Sequence, residues 1–358
     1  KLDEPLPPHL IEKKGLKKVK RGMVNGKTML YIAEMTFMVE ELNKLIDSAP
    51  EESRYYGMLA ELYQANGFND KAMATYKKLL ALNPDDSFAH LALANFYRSE
   101  GKMDLYIKEI KIAFDSKYMA IDHKIEILLS YYSLSENNPE MTEQALDLCR
   151  SLINTHPKEA KAHAMYGDYL YREGTLKSAL EEYRTVIAID RSKFLIWRQL
   201  LQVELELKEF ESMLTDSKEA IELFPNQAIL YLYNGIANIQ NKSFDAAITM
   251  LNKGVELTSD NKFLLTSFYS NLGDSYHSTK DTGASDQAYD KALEYDPDNI
   301  YVLNNYSYYL SLRGSDLEKA RKMSSKSVEL EPKNTSFQDT YGWVLYKSGN
   351  YKEAKVWI

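Results

Sequence analysis

From Ser53 to Ile358 the apolar residues return with a helical rhythm, and the rhythm itself repeats. Counted from its first helical residue, each unit has a large apolar side chain at position 4 and an apolar–small pair at 7 and 8. Another apolar residue falls at 11, often Gly at 15, a small residue at 20, a large one at 24 and Pro at 32. The first clear copy reads Tyr56, Leu59-Ala60, Tyr63, Gly67, Ala72, Tyr76 and Pro84. Units start at Ser53, Ser87, Asp122, Ala160, Phe194, Ala228, Thr266, Ile300 and Thr335, at intervals of 34, 35, 38, 34, 34, 38, 34 and 35 residues. Apolar spacings of three and four predict helices, Gly at 15 a tight turn, and Pro at 32 a stop. Each unit therefore reads as a helix–turn–helix, and the last is cut off within its second helix.

One helix pair cannot bury its own apolar face, so successive pairs must stack into a continuous core. Small residues at positions 8 and 20, as in Gly167/Ala179, Gly235/Ala247 and Gly342/Ala354, predict that the two helices of a pair approach closely there. In this pattern the chain resembles the tetratricopeptide repeat family, over about Ser53 to Ile358. The resemblance implies an all-α, right-handed superhelical solenoid of about eight and a half repeats. Tyr106 and Met213 at position 20, and Leu129 and Leu201 at position 8, depart from the pattern and predict looser pairs. Two insertions, Asn137–Glu143 and Ser259–Leu265, read as enlarged loops, with Asn137-Asn138-Pro139 as the turn signal of the first.

The pattern divides the chain into an extended basic arm at 1–27, a degenerate helical lead-in at 28–52 and the solenoid at 53–358. Leu6-Pro7-Pro8 favours an extended start, and Tyr31, Met35, Met38, Leu42 and Leu45 carry the helical period before Pro50. The chain begins at Lys1 and ends inside a predicted helix, so it reads as a fragment or processed form.

Charge changes this picture in one respect. The net charge is −8, which argues against nucleic-acid binding, since phosphate contacts need an excess of Lys and Arg. The basic residues are nonetheless concentrated at the start. Lys13, Lys14, Lys17, Lys18, Lys20 and Arg21 form a candidate contact for an anionic surface. Cys149 is the single cysteine, which excludes an internal disulfide and any cysteine cage for a metal. No run of apolar residues is long enough to span a membrane.

Catalytic constellations are not found. Gly22–Lys27 lacks the spacing of a phosphate loop, there is no Gly-x-Ser-x-Gly elbow, and the six histidines are dispersed. The expectation is a chain without enzymatic activity, catalytic residues, cofactor or metal. The family resemblance implies that first helices line the concave face, through positions 2, 5, 6, 9, 12 and 13. The densest candidates are Asn271, Asp274, Tyr301, Asn304, Asn305, Tyr308, Asp339, Trp343 and Tyr346. Carboxamides donate and accept together, so Asn271 and Asn305 read as a clamp for an extended peptide backbone, with aromatic neighbours as contact area.

The expected function is a scaffold for partner proteins within a multi-subunit complex. The Tyr- and Asn-rich segments Leu303–Leu310 and Asp339–Trp343 resemble the C-terminal repeats of exported, lipid-anchored tetratricopeptide proteins of Bacteroidetes-type bacteria. That resemblance implies a periplasmic, outer-membrane-associated place in an assembly or secretion complex, held there by a lipid anchor or the basic arm. The alternatives are a docking module of a larger enzyme and a cytoplasmic adaptor.

Overall fold

A computed structural model describes residues 26–136 and 138–357, with side chains from Thr36 onward except that of Leu134. The basic cluster Lys13–Arg21 lies outside these residues. The described chain is an all-α solenoid of nineteen helices. A lone helix, α1 (Gly26–Ser48), precedes nine helix pairs, so it begins two residues inside the stretch read as an extended arm. The pairs are α2–α3 (Ser53–Ala65, Asn69–Leu82), α4–α5 (Ser87–Ser99, Met103–Asp115), α6–α7 (Ile121–Leu134, Pro139–Thr155), α8–α9 (Ala160–Arg172, Leu176–Ile189) and α10–α11 (Phe194–Leu207, Phe210–Leu223). The remainder are α12–α13 (Ala228–Gln240, Phe244–Glu256), α14–α15 (Lys262–Ser278, Thr282–Tyr295), α16–α17 (Ile300–Arg313, Leu317–Leu330) and α18–α19 (Thr335–Lys347, Tyr351–Trp357). The helices fall into two compact units, one ending at Pro157 and one starting at Lys158.

In the first unit, α2 to α4 share a core of Ala60, Ala72, Tyr76, Leu79, Ala89 and Leu93. Tyr106, expected to loosen its pair, is buried and stacks on Tyr131 of α6 with its hydroxyl hydrogen-bonded to the Tyr131 hydroxyl. Lys124 is fully buried. Its Nζ donates to the Phe114 carbonyl (2.6 Å), the Ser116 carbonyl (3.0 Å) and Thr155 Oγ1 (2.7 Å), closing the C-terminal end of α5 and tying α6 to α7. Burial pulls its pKa down to about 8.

Three boundaries correct the sequence reading. The third pair starts at Ile121 rather than Asp122, which places Leu128 at position 8, fully buried, and leaves Leu129 exposed. The stretch after Asn138 is not loop. Pro139 opens α7, and Asn138 caps it by accepting from Met141 N–H at 3.2 Å. Likewise Lys262–Leu265 forms an added first turn of α14, capped by Asn261 on Leu264 N–H at 3.0 Å. Asn and Pro serve both turns and helix starts, so their presence alone did not separate the two.

In the second unit the position-8 glycines meet the large residue at position 24, not only the small one at 20. A Cβ on Gly167 would lie 2.8 Å from Tyr183 Cε1, on Gly235 2.4 Å from Leu251 Cδ2, and on Gly273 2.5 Å from Tyr289 Cε1. Position 20 still touches position 8, since Ser285 Oγ donates to the Gly273 carbonyl at 2.9 Å. Leu201 and Met213 are fully buried as well. In this unit the turn at position 15 is left-handed whatever the residue. Gly174 and Gly314 adopt it (φ 72° and 68°), and Lys208, Lys242 and Lys280 adopt it at the strain cost of a Cβ (φ 60°, 58° and 65°).

Several polar groups inside the pairs are partnered. His90 Nδ1 meets Glu109 Oε2 at 2.6 Å, and His163 Nδ1 meets Glu182 Oε2 at 2.6 Å, both from position 4 to position 23. Glu204 is fully buried and accepts from Arg184 Nη2 at 2.9 Å. Burial, and then Asp216 beside it, raise its pKa.

Gly273→Ala is expected to destabilise the protein by about 1–3 kcal/mol, because a methyl group must displace the buried Tyr289 ring. Thermal or chemical denaturation measures this, and a ring that simply turned aside would leave the transition unchanged.

Candidate functional site

The densest candidate surface lies on the first helices of the last three pairs, α14, α16 and α18. The structure divides its residues into two groups. The first holds one pair against the next. Asp274, at position 9, accepts from the Tyr289 hydroxyl at 2.6 Å and from Asn305 Nδ2 at 3.4 Å. The same relay occurs earlier in this unit: Asp168 accepts from the Tyr183 hydroxyl at 2.9 Å and from Gln199 Nε2 at 2.7 Å. In each case position 9 of one first helix meets position 6 of the next, 31 residues on. Gln202 and Tyr233 repeat that spacing, the tyrosine hydroxyl donating to Gln202 Oε1 at 2.7 Å. Asn271 donates to the Ser267 carbonyl of its own helix at 2.7 Å. The expected clamp of Asn271 and Asn305 therefore has one donor of each carboxamide already engaged within the chain.

The second group faces outward or lacks partners. Tyr301, Tyr308, Asp339 and Tyr346 are exposed, and Asn304 and Trp343 are half-buried. Asn304 Oδ1 and Trp343 Nε1 are buried atoms with no hydrogen-bond partner. One is an acceptor and the other a donor, on helices α16 and α18, which pack directly on each other. Trp343 stacks on Tyr346 (ring centroids 5.8 Å apart), Tyr346 meets Tyr351 edge-on (5.3 Å), and Lys347 Nζ lies 5.5 Å from the Trp343 ring centre. Tyr301 packs edge-on against Phe337 at 6.1 Å. These rings form a rigid aromatic surface beside two unmet hydrogen-bonding atoms.

Sequence reasoning missed a neighbouring cluster. His277 stacks on Tyr309 with centroids 3.5 Å apart, and Arg313 donates to both Asp286 oxygens at 2.7 and 2.9 Å. His277 Nδ1 and Arg313 Nη1 are also buried without partners. Burial, and then the Arg313 charge, lower the His277 pKa. No single repeat position marks this cluster, since it needs three helices brought together. Among the described residues no group of His, Cys, Asp and Glu could hold a metal ion, and no helix is long and apolar enough to cross a membrane.

Three stretches match family models of the tetratricopeptide repeat, at residues 41–96, 266–299 and 288–322. The first runs from the end of α1 into α4, and the others run from α14 into α17. Together with the stacked pairs they make the fold a tetratricopeptide solenoid. The chain is 22% identical to the human Protein O-mannosyl-transferase TMTC3 over 334 residues, covering 80% of this chain and 36% of that protein. It is 24% identical to the human Mitochondrial import receptor subunit TOM70 over 271 residues, covering 73% of this chain and 43% of that protein. It thus spans less than half the length of either relative. Among solved structures, Pseudomonas aeruginosa pilF superposes with a TM-score of 0.48 at 21% identity, over 61% of this chain and 95% of that one.

Burial raises the pKa of Asp274 above the ordinary carboxylate value, against the opposing bonds from Tyr289 and Asn305. The folded state therefore holds its proton more tightly than the unfolded chain. This contribution to stability is complete below the ordinary value and is lost as pH rises through the raised one. Asp274→Asn keeps an oxygen for both donors and removes the buried charge. The variant is expected to be more stable than the wild type at pH 7, with the difference closing toward pH 4, as read from denaturation midpoints across that range.

Proposed function

We propose that the chain is a non-enzymatic scaffold that holds partner proteins, and that the exposed face of α14, α16 and α18 binds an extended segment of one of them. The carrying observation is the pair of buried, unmet atoms, Asn304 Oδ1 and Trp343 Nε1, set among Tyr308, Tyr346 and Tyr301. A buried polar atom without a partner is costly, and a peptide backbone presents the N–H and C=O that meet an acceptor and a donor. Exposed tyrosines and a tryptophan supply contact area at small conformational cost. The name of TOM70, a receptor subunit, fits a protein-binding role.

The proposal extends to place. The Tyr- and Asn-rich segments of α16 and α18 support an exported scaffold in an outer-membrane-associated complex, with a lipid anchor or the basic arm as attachment. Recovery of the native protein with soluble cytoplasm on cell fractionation overturns that part alone. A second reading, a docking module within a larger enzyme, is favoured by the match of 80% of this chain to part of a protein named as a transferase. The full reading frame separates the two.

A photo-reactive amino acid at Tyr308 is expected to cross-link a partner segment in native extracts, and the same group at exposed Leu223 on α11 is not. Combining the probe with Trp343→Ala is expected to reduce the yield roughly tenfold, the scale of one lost interface anchor. Equal yields from both probe positions, or no effect of Trp343→Ala, would overturn the assignment of the face.

A further inference from the structure

Three of the exposed apolar residues of the second unit, Leu195, Phe263 and Tyr301, fall at the starts of first helices. Leu195, Ile229 and Phe263 are each the second residue of a first helix (α10, α12 and α14) and follow one another by 34 residues, and Tyr301 is the second residue of α16. Helix α10 packs on α12, and α12 on α14. Position 2 on these helices puts Leu195, Ile229 and Tyr301 along the edge made by the helix N-terminal ends, and Phe263 stands on the added first turn of α14 at the same edge. Leu195 is 58% exposed, Phe263 83% and Tyr301 65%, while Ile229 is half-buried. Single exposed apolar residues are ordinary, but a row of them marks an interaction surface. Because α14 starts four residues before Thr266, Phe263 stands about 6 Å, a little over one helical turn, beyond the row.

The two ends of the row differ in charge. The turn before α10 carries Lys193 against Asp190, together with Arg191, which pairs at the surface with Glu219 of α11, and the turn before α16 carries Asp296 and Asp298. The Lys193 side chain is 63% exposed and that of Asp298 66%. Their pairs with Asp190 and Lys326 lie at the surface, where such pairs are weak and exchangeable.

We propose that this edge joins two copies of the chain about a two-fold axis between α12 and α14. A two-fold axis sets one row against the other in reverse order. Leu195 then meets Tyr301 of the second copy, and the projecting Phe263 seats on the half-buried Ile229 of the second copy. The basic turn at Arg191–Lys193 faces the acidic turn at Asp296–Asp298. This charge reversal along the row selects a second copy as the occupant, because the symmetry itself brings the opposite ends together. The edge shares only Tyr301 with the peptide-binding face, and the residues changed in its test, Phe263, Lys193 and Asp298, lie outside that face, so its test can fail independently.

Sedimentation equilibrium of the 358-residue chain is expected to show a reversible dimer, and Phe263→Asp a monomer with unchanged helical circular dichroism. Lys193→Glu and Asp298→Lys are each expected to weaken the dimer roughly tenfold or more by setting like charges together. The double variant, which exchanges the signs of the two ends, is expected to recover most of the loss. A wild type that stays monomeric over the concentration range, a dimer indifferent to Phe263→Asp, or a double variant no better than the singles would overturn the proposal.

Discussion

The close approach of two helices at position 8 is the constraint on which the second unit depends. Where that position is Gly273, the Tyr289 ring fits between the helices, and its hydroxyl reaches Asp274 on the first helix. Asp274 in turn receives Asn305 from the next pair. Gly167, Tyr183, Asp168 and Gln199 make the same sequence of contacts. A packing requirement inside one pair thus fixes a polar contact between pairs. This matters in a solenoid, where each repeat touches only its neighbours and stability is a sum of repeat and interface terms.

The relay also decides what the surface can do. A polar residue on a first helix either stacks the solenoid or remains for a ligand. Asp274, Asn305, Asp168, Gln199 and Gln202 are spent on stacking. Asn304, Trp343, Tyr308 and Tyr346 are not, and they gather where the aromatic rings are exposed. The apolar row from Leu195 to Tyr301 is a different kind of surface, on the edge of the helices rather than across their faces.

Much of this fold was legible in the sequence because packing repeats. Where position 8 is small and position 15 turns, as at Gly167, Gly235 and Gly314, the pair announces itself. The register of the third pair was one residue off, because Leu128 and Leu129 are chemically alike and only burial tells them apart. The two insertions were read as loops since Asn138 and Asn261 carry a signal shared by turns and helix caps. The stacking relay was not legible at all. It links residues 31 apart on different helices, and nothing local distinguishes Asn305, which donates to Asp274, from Asn304 beside it, whose oxygen has no partner.

That neighbouring pair offers the most direct test of the division between stacking and binding residues. Asn305→Ala and Asn304→Ala should be compared for denaturation midpoint under identical conditions. The account predicts that Asn305→Ala lowers stability by about 1.5 kcal/mol, the low end for a hydrogen bond to a charged acceptor, while Asn304→Ala, which gives up only its 3.3 Å bond to Asn305 Oδ1, costs less. Equal losses in the two variants, or a loss confined to Asn304→Ala, would contradict it.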